Sequence, residues 1–219
     1  MILAVSSTTA ITFQGGIEDT VTNLKTKTTG GTDFDKLDSI VLNDGDVVIT
    51  ISDDAFATSA ATIAATDLST IGGKTSGTVT VSNAVKITGA ASELTAALVT
   101  TGSLVVAATA LATVSDAADT SIAATVLSAI GAKTSGVVTV TNAIIITGSN
   151  TEVTAALITT ASLVVAATAK VTISDADDVS IAATVLSTIG AITSGVVTVT
   201  NAIIITGSYT EVTAALVTT

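Results

Sequence analysis

The sequence comprises 219 residues with a net charge of −11, and it contains no Cys, Pro, His, Trp or Arg. A hydrophobic fraction of 48% distinguishes it from charged disordered chains, and the absence of Cys excludes disulfide bonds. Nucleic-acid binding requires clustered basic residues, and this chain has seven scattered Lys against eighteen carboxylates.

The first part of the chain, residues 1–77, is the more acidic and the less regular part. Ten of the eighteen acidic residues lie between Glu18 and Asp67. In chain order, the apolar spacing predicts a helix over 17–28, two strands around a turn over 39–52, and an Ala/Thr-rich helix over 57–71. We interpret residues 1–77 as divergent N-terminal coils that precede the regular repeats of 78–219.

Residues 78–219 repeat with a period of 59 residues. The stretches 137–160 and 196–219 differ at two of 24 positions, and a more divergent copy begins at Thr78. A second pair of copies, 103–136 and 162–195, has the same offset. The period therefore divides into a short unit of 25 residues, such as 137–161, and a long unit of 34 residues, such as 162–195.

Both units share one order of predicted elements. β-branched stretches such as "VVTVT" and "AIIIT" predict strands, a polar break such as "GSNTE" or "SDADD" follows, and an Ala-rich helix comes last. The helix stripes are formed by Val153, Ala156 and Leu157 in the short unit, and by Ile181, Val185 and Ile189 in the long unit.

Residues with known helix-terminal preferences support these elements. Ser149-x-x-Glu152 and Ser208-x-x-Glu211 are capping-box patterns, and Gly131 and Gly190 stand where a C-cap glycine is expected. Asn83, Asn142 and Asn201 recur after a strand, which favours a corner residue or a side-chain ladder.

The sequence therefore predicts an α/β solenoid in which each unit is one coil of strand, corner, strand and helix. Strands stack about 4.8 Å apart and helices pack about 8–10 Å apart, so a stack with strands on one side and helices on the other must curve. We expect about seven coils in this curved stack, which would propagate as a superhelix, tube or filament.

The start of the sequence resembles the segment that follows the internal copy of the C-terminal repeat. Residues 3–13 align without a gap on 163–173, so the end of one copy is in phase with the start of the next. This predicts head-to-tail self-association, in which 196–205 of one copy contacts 3–13 of another. The expected interface residues are Leu3, Val5, Thr8, Ile11, Phe13, Val196, Val197, Val199, Ile203, Ile204 and Ile205. The alternative is that the sequence is a fragment of a longer repeat protein.

No catalytic constellation is visible, since the usual bases, thiolates and anion clamps require His, Cys and Arg. We therefore do not expect an enzyme. "GGKTSG" at 72–77 resembles a phosphate-binding loop superficially, but it lacks the first glycine of that motif and follows a predicted helix. A loop is the favoured interpretation.

Acidic residues recur at the strand-to-helix junctions. Two hypotheses fit them: oxygen-rich Ca²⁺ sites that bridge coils, or carboxylates that stabilise helix N-termini. We favour helix capping and keep Ca²⁺ as a candidate cofactor. The residues are Asp53, Asp54, Asp116, Asp119, Asp175, Asp177 and Asp178.

Thr-x-Thr pairs such as Thr139/Thr141 and Thr198/Thr200 place two hydroxyls on one strand face. Regular Thr arrays on a flat sheet suggest ice binding, and ordinary solvated strand residues are the alternative. The pairs occur only in alternate units and the sheet is expected to curve, both of which weaken the ice-binding hypothesis.

The segments "SGVVTVTNAIIITGS", "TEVTAALITTASLVV" and "ISDADDVSIAATVLSTIG" resemble the Ala/Thr/Val-rich repeats of long bacterial surface and appendage proteins, cyanobacterial ones included. The resemblance implies an extracellular structural role, as adhesin, sheath or appendage, with Ca²⁺ bound by some members. No segment approaches the roughly 20 apolar residues of a membrane span. Residues 1–5 lack the basic start of a cleavable signal, so we expect export by another route.

Overall fold

The computed structural model describes residues 13–27, 31–159 and 164–217, which form an α/β fold of parallel sheets with alternating strands and helices. The strands are β1 (Ile17–Asp19), β2 (Ile49–Ile51), β3 (Thr62–Ala64), β4 (Val79–Val81), β5 (Lys86–Gly89), β6 (Val105–Val106), β7 (Leu111–Val114), β8 (Ser121–Ala123), β9 (Val138–Val140), β10 (Ile145–Gly148), β11 (Val164–Val165), β12 (Lys170–Ile173), β13 (Ser180–Ala182), β14 (Val197–Val199) and β15 (Ile204–Thr206).

The helices are α1 (Val21–Leu24), α2 (Asp35–Asn43), α3 (Phe56–Ser59), α4 (Ala65–Lys74), α5 (Ala91–Leu94), α6 (Ala124–Gly131), α7 (Asn150–Leu157), α8 (Ala183–Ile192) and α9 (Tyr209–Leu216). A π-helical turn, Thr95–Val99, continues α5. Within the described ranges, no helix is long and apolar enough to cross a membrane.

Strand pairing follows one rule along the chain. The first two strands of a long unit pair with the two strands of the short unit before it, as β11 pairs with β9 and β12 with β10. The second and third strands of the long unit then pair with the next short unit, as β12 pairs with β14 and β13 with β15. All these pairs are parallel because the chain returns to the same edge after each helix.

Because the long unit has three strands, its middle strand pairs with the second strand of the short unit before it and with the first strand of the short unit after it. One five-stranded sheet has the order β11-β9-β7-β5-β3, and the next has the order β14-β12-β10-β8. A long unit thus contributes to two or three sheets at once, and each sheet overlaps its neighbour along the chain.

The core lies between the inward faces of these sheets and the helices. Ile87, Ala112 and Val138 form one cross-strand row, and all three are buried. Val153, Ala156 and Leu157 cover the core from α7, as the short-unit stripe predicted. Small Ala side chains at the helix–sheet contact allow close packing of the two layers.

The long unit contains a third strand in a segment that was predicted to be helical. Ile181 was predicted on the helix with Val185 and Ile189, but it lies in β13, and α8 begins two residues later. Leu186 and Ile189 are the large side chains that α8 buries. The "SIA" segment is extended because it pairs with β15, a long-range contact that local periodicity does not encode.

The predicted elements of residues 17–71 are also corrected. The predicted helix over 17–28 begins as strand β1 and is helical only over the four residues of α1. The first of two strands predicted over 39–52 is the end of α2, although β2 follows the turn as expected. The helix predicted over 57–71 is interrupted by β3, which separates α3 from α4.

The Gly131 and Gly190 C-cap predictions are wrong as well. Gly131 is the last residue of α6, and Gly190 lies inside α8. Neither has the positive φ of a left-handed cap. By contrast, the capping boxes at Ser149/Glu152 and Ser208/Glu211 are present.

The Thr-Ser-Gly sequence after each long-unit helix fastens the chain to a preceding segment. Thr75 Oγ1 donates to Val47 O at 2.7 Å, and Thr134 and Thr193 bond Ala110 O and Ala169 O in the same way. A Cβ on Gly136 would lie 2.2 Å from Ala110 O, so only glycine allows this approach. Residues 72–74 are the last residues of α4 and 75–77 form the corner, so the loop prediction is correct only for the second half of this segment.

Candidate functional site

The described end of the last short unit exposes apolar side chains that its internal copy buries. Ile205 and Val212 are partly exposed, while their counterparts Ile146 and Val153 are fully buried. Leu216 is 60% exposed, against 7% for Leu157. We call this surface the terminal face, and it consists of Val197, Val199, Ile203, Ile205, Val212, Ala215 and Leu216.

The two copies have nearly the same sequence, so the difference in exposure arises from what packs against each copy. The internal copy packs against the following long unit, whose strands β11 and β12 pair with β9 and β10. No described residue occupies the corresponding place beside β14 and β15. A recess of about 450 Å³ opens there, lined by residues that include Leu186, Val199 and Leu216.

Carboxylates from one unit stabilise the helix of the unit before it. Asp175 Oδ2 accepts from the backbone N–H of Asn150, the first residue of α7, at 2.6 Å. Asp116 Oδ2 accepts from Ala91 N at 2.7 Å, and Asp53 Oδ2 accepts from Val21 N at 2.7 Å. Each acid therefore bonds a free N–H at the start of a short-unit helix, where negative charge is favourable.

This result refines the capping prediction. The acids were expected to act on the helix that follows them in the chain, but α4, α6 and α8 begin after Ala64, Ala123 and Ala182 without a side-chain cap. The cap instead crosses between units, because parallel stacking brings the end of a long-unit strand beside the start of the preceding helix. Sequence distance alone does not reveal this contact.

The first residue of α9, Tyr209, occupies the position of Asn150 in the next copy. Among the described residues, no carboxylate accepts from the Tyr209 N–H. The capping box within α9 is complete: Ser208 Oγ accepts from Glu211 N, and Glu211 Oε2 accepts from Ser208 N at 2.6 Å. Hydrogen bonds from the Ser208 backbone N–H and then its hydroxyl lower the pKa of Glu211 below its usual 4.5.

The remaining acids of the Ca²⁺ hypothesis make separate contacts. Asp119 Oδ1 lies 2.7 Å from Lys170 Nζ, and Asp177 Oδ1 accepts from Ala202 N. Asp178 has a positive φ and donates its N–H to Ala202 O, while Asp54 is exposed. In the ranges that the structure describes, no group of three or more acidic side chains is placed to hold a metal ion.

The recurring asparagines are corner residues. Asn142 Nδ2 donates to Asp116 O at 2.7 Å, and Asn83 and Asn201 make the same bond to Asp53 O and Asp175 O. The asparagine thus ties a corner to the acid-bearing loop of the preceding long unit. The predicted corner position is confirmed.

The first described residue, Phe13, does not have the predicted phase. Leu3, Val5, Thr8 and Ile11 lie outside the described residues. Phe13 was aligned with Ile173, which ends β12, but Phe13 lies in no strand and donates its N–H to Asp44 Oδ2 at 2.6 Å.

The strand after Phe13 identifies the unit. β1 corresponds to the second strand of a short unit. It pairs with β2, as β5 pairs with β7, and it is followed by α1, whose first N–H bonds Asp53. The positive φ of Gly15 and Gly16 turns the chain directly into β1 and leaves no loop like that between β12 and β13. The equivalence of Phe13 with Ile173 is therefore wrong.

Threonines form rows across successive strands, although one member, Thr113, is buried. Thr88, Thr113 and Thr139 are register partners in one sheet, and Thr147, Thr172 and Thr198 in another. Within 78–219 the Thr-x-Thr pairs themselves occur only in the short units, and the long units contribute the single residues Thr113 and Thr172 to these rows. Thr141 and Thr200 stand outside these rows and bond Val114 O and Ile173 O.

Comparisons of the chain with protein-family models, curated proteins and solved structures found no match.

Proposed function

We propose that this chain is a structural repeat protein: an α/β solenoid whose coils stack end to end into an extracellular filament or tube. The observation that carries the proposal is the terminal face. Its side chains are the ones that the internal copy buries under the next coil, so a further coil is the surface that fits them.

The geometry favours growth by coil addition. β14 and β15 present unpaired backbone edges beside an apolar surface, and parallel pairing with another coil satisfies both. Contact between opposite ends of two copies is heterologous, so it extends into open polymers unless the rotation closes a ring. The mismatch between strand and helix spacing gives the stack curvature.

In this proposal the second surface is the N-terminal end of another copy, where Leu3, Val5, Thr8 and Ile11, which lie outside the described residues, are the candidate residues. An extracellular location rests on the resemblance to bacterial surface repeats. The role is mechanical, and Ca²⁺ stays a candidate cofactor.

Sedimentation velocity over a concentration series tests the proposal. Leu216→Asp places a charge on the terminal face, at a side chain that is 60% exposed before assembly. Thr210→Asp is the matched control, because it adds the same charge to α9 at an exposed position whose copy, Thr151, is also exposed.

We expect the wild type and Thr210→Asp to form large species as concentration rises, while Leu216→Asp stays monomeric with unchanged circular dichroism. Equal assembly of both variants would show that the terminal face is not the contact surface.

A second candidate function is ice binding, which the threonine rows favour. In the row of Thr147, Thr172 and Thr198, none of which is buried, hydroxyls spaced by the strand separation of about 4.8 Å offer a periodic surface to water. Thermal hysteresis by the monomer that is lost in Thr139→Leu and Thr198→Leu, both exposed positions, would support this function over assembly.

A further inference from the structure

The interface between a short unit and the next long unit is complete inside this chain, and it defines what the terminal face recognises. We infer that the terminal face is a docking site for a long-unit strand pair that ends in Ser-Asp. The inference rests on the proposed function only in taking the terminal face as a coil-stacking surface, and it does not require self-assembly.

The backbone part of the template is the contact of β10 with β12. Lys170 N donates to Ile144 O at 2.8 Å, and Ser174 N donates to Gly148 O at 2.9 Å. The corresponding acceptors on the terminal face are the carbonyl oxygens of Ile203 and Gly207. An incoming strand with the sequence of 170–174 would therefore find acceptors in the same register.

The side-chain part is apolar. Val171 and Ile173 are fully buried where β12 covers β10, and Val164 is nearly so where β11 covers β9. Their neighbours in the internal copy, such as Ile146 and Val138, have counterparts on the terminal face in Ile205 and Val197. A long-unit strand pair thus brings the apolar side chains that this surface lacks.

The specific element is the carboxylate that follows the strand. Three short-unit helices receive an aspartate from the next long unit, through Asp53, Asp116 and Asp175. α9 has the same start and no such partner among the described residues. A docked Ser-Asp end would place its carboxylate at the Tyr209 N–H, as Asp175 is placed at Asn150.

The first residues of a second copy do not supply this group. Residues 1–13 contain no acidic side chain. A second copy that docked through residues 1–13 would therefore leave the Tyr209 N–H without its carboxylate. The carboxylate that completes this site belongs to the long-unit sequence.

One substitution between the two copies changes the number of hydrogen bonds that the site can make. In the internal copy, Asn150 Nδ2 donates to Asp175 Oδ1 at 2.8 Å, in addition to the backbone bond. Tyr209 has no side-chain amide that could make this second bond, and its backbone N–H is the group equivalent to that of Asn150. Restoring asparagine at this position would add a second bond to the docked carboxylate.

The test uses a fluorescein-labelled peptide with the sequence of residues 164–178 and the whole chain at concentrations where it sediments as a monomer. Fluorescence anisotropy gives the affinity. We expect saturable binding that becomes about five- to tenfold weaker when the peptide carries Asp175→Ala. Tyr209→Asn in the chain should tighten binding of the unmodified peptide by about threefold or more.

Tyr209→Pro isolates the backbone contact. Proline is well tolerated at the first helical position, and Ser208 already has the extended backbone (φ −69, ψ 162) that a following proline requires. The variant keeps α9 but lacks the N–H, so it should bind the unmodified peptide and the Asp175→Ala peptide equally. Tyr209→Ala, which keeps the N–H, should still distinguish them.

No binding, or equal binding of both peptides by the wild-type chain, overturns the inference. These results are separable from the proposed function. A chain that assembles but ignores the peptide retains the function and refutes the docking site, whereas a chain that binds the peptide but never assembles does the reverse.

Discussion

Two leucines at the same position of nearly identical copies allow a direct measurement of how much the following long unit contributes to stability. Leu157 is 7% exposed beneath the following long unit, and Leu216 is 60% exposed on the terminal face. Their helices, α7 and α9, have the same length, the same capping box and the same stripe. Leu→Ala at each position therefore differs mainly in the surface that it uncovers.

The expected magnitudes follow from burial. Leu157→Ala removes a packed side chain and leaves a cavity, which should lower the free energy of unfolding by about 2–5 kcal/mol. Full burial of leucine contributes about 1.5–3 kcal/mol, and Leu216 is less than half covered, so Leu216→Ala should cost about 1 kcal/mol or less.

Urea denaturation of the monomer, followed by circular dichroism, measures both values. The two variants should rank in the opposite order for assembly. At concentrations where the wild type assembles, Leu216→Ala should weaken assembly at a concentration where Leu157→Ala still assembles. Equal losses of monomer stability would show that Leu216 is as well packed as Leu157, and the terminal face would then need no further coil.

Three further predictions concern the contacts between units. Gly136→Ala should be strongly destabilising, by more than about 2 kcal/mol, because its Cβ would lie 2.2 Å from Ala110 O, whereas Gly190→Ala in α8 meets no atom and should stabilise by about 0.5–1 kcal/mol. Thermal denaturation of the pair gives both signs. Asp175→Ala should cost about 1–3 kcal/mol in urea denaturation because Asn150 loses two bonds, while exposed Asp54→Ala should stay within about 0.5 kcal/mol. A larger effect at Asp54 would contradict the cross-unit cap. The lowered pKa of Glu211 means that its capping box stabilises α9 above its usual pKa of 4.5 and loses this contribution as pH falls through the lowered value. NMR titration of Glu211 and amide exchange of α9 should show that loss, and Glu211→Gln should remove the pH dependence.

The short unit was predictable because its signals are local. β-branched strands, a Ser-x-x-Glu capping box and one apolar stripe all agree over a few residues, and β9, β10 and α7 follow them. The long unit was not fully predictable. Ile181 has helical spacing to Val185 and Ile189, yet β13 is extended because it pairs with a strand from the next unit.

The candidate site shows the same division. The apolar residues of 196–205 could be selected from the repeat alone, since each has a buried counterpart 59 residues earlier. The cross-unit caps and the phase of the first unit depend on which strands pair. Asp175 and Asn150 are 25 residues apart, and nothing in the local sequence of either residue indicates their contact.

Negative-stain electron microscopy of the concentrated chain, with and without EDTA, tests end-to-end assembly directly. We expect uniform filaments or tubes in both conditions, because the acids of the long units are used in hydrogen bonds and ion pairs between protein groups. Monodisperse particles at every concentration would contradict end-to-end assembly, and filaments that dissolve in EDTA would contradict the assignment of the acids to helix capping.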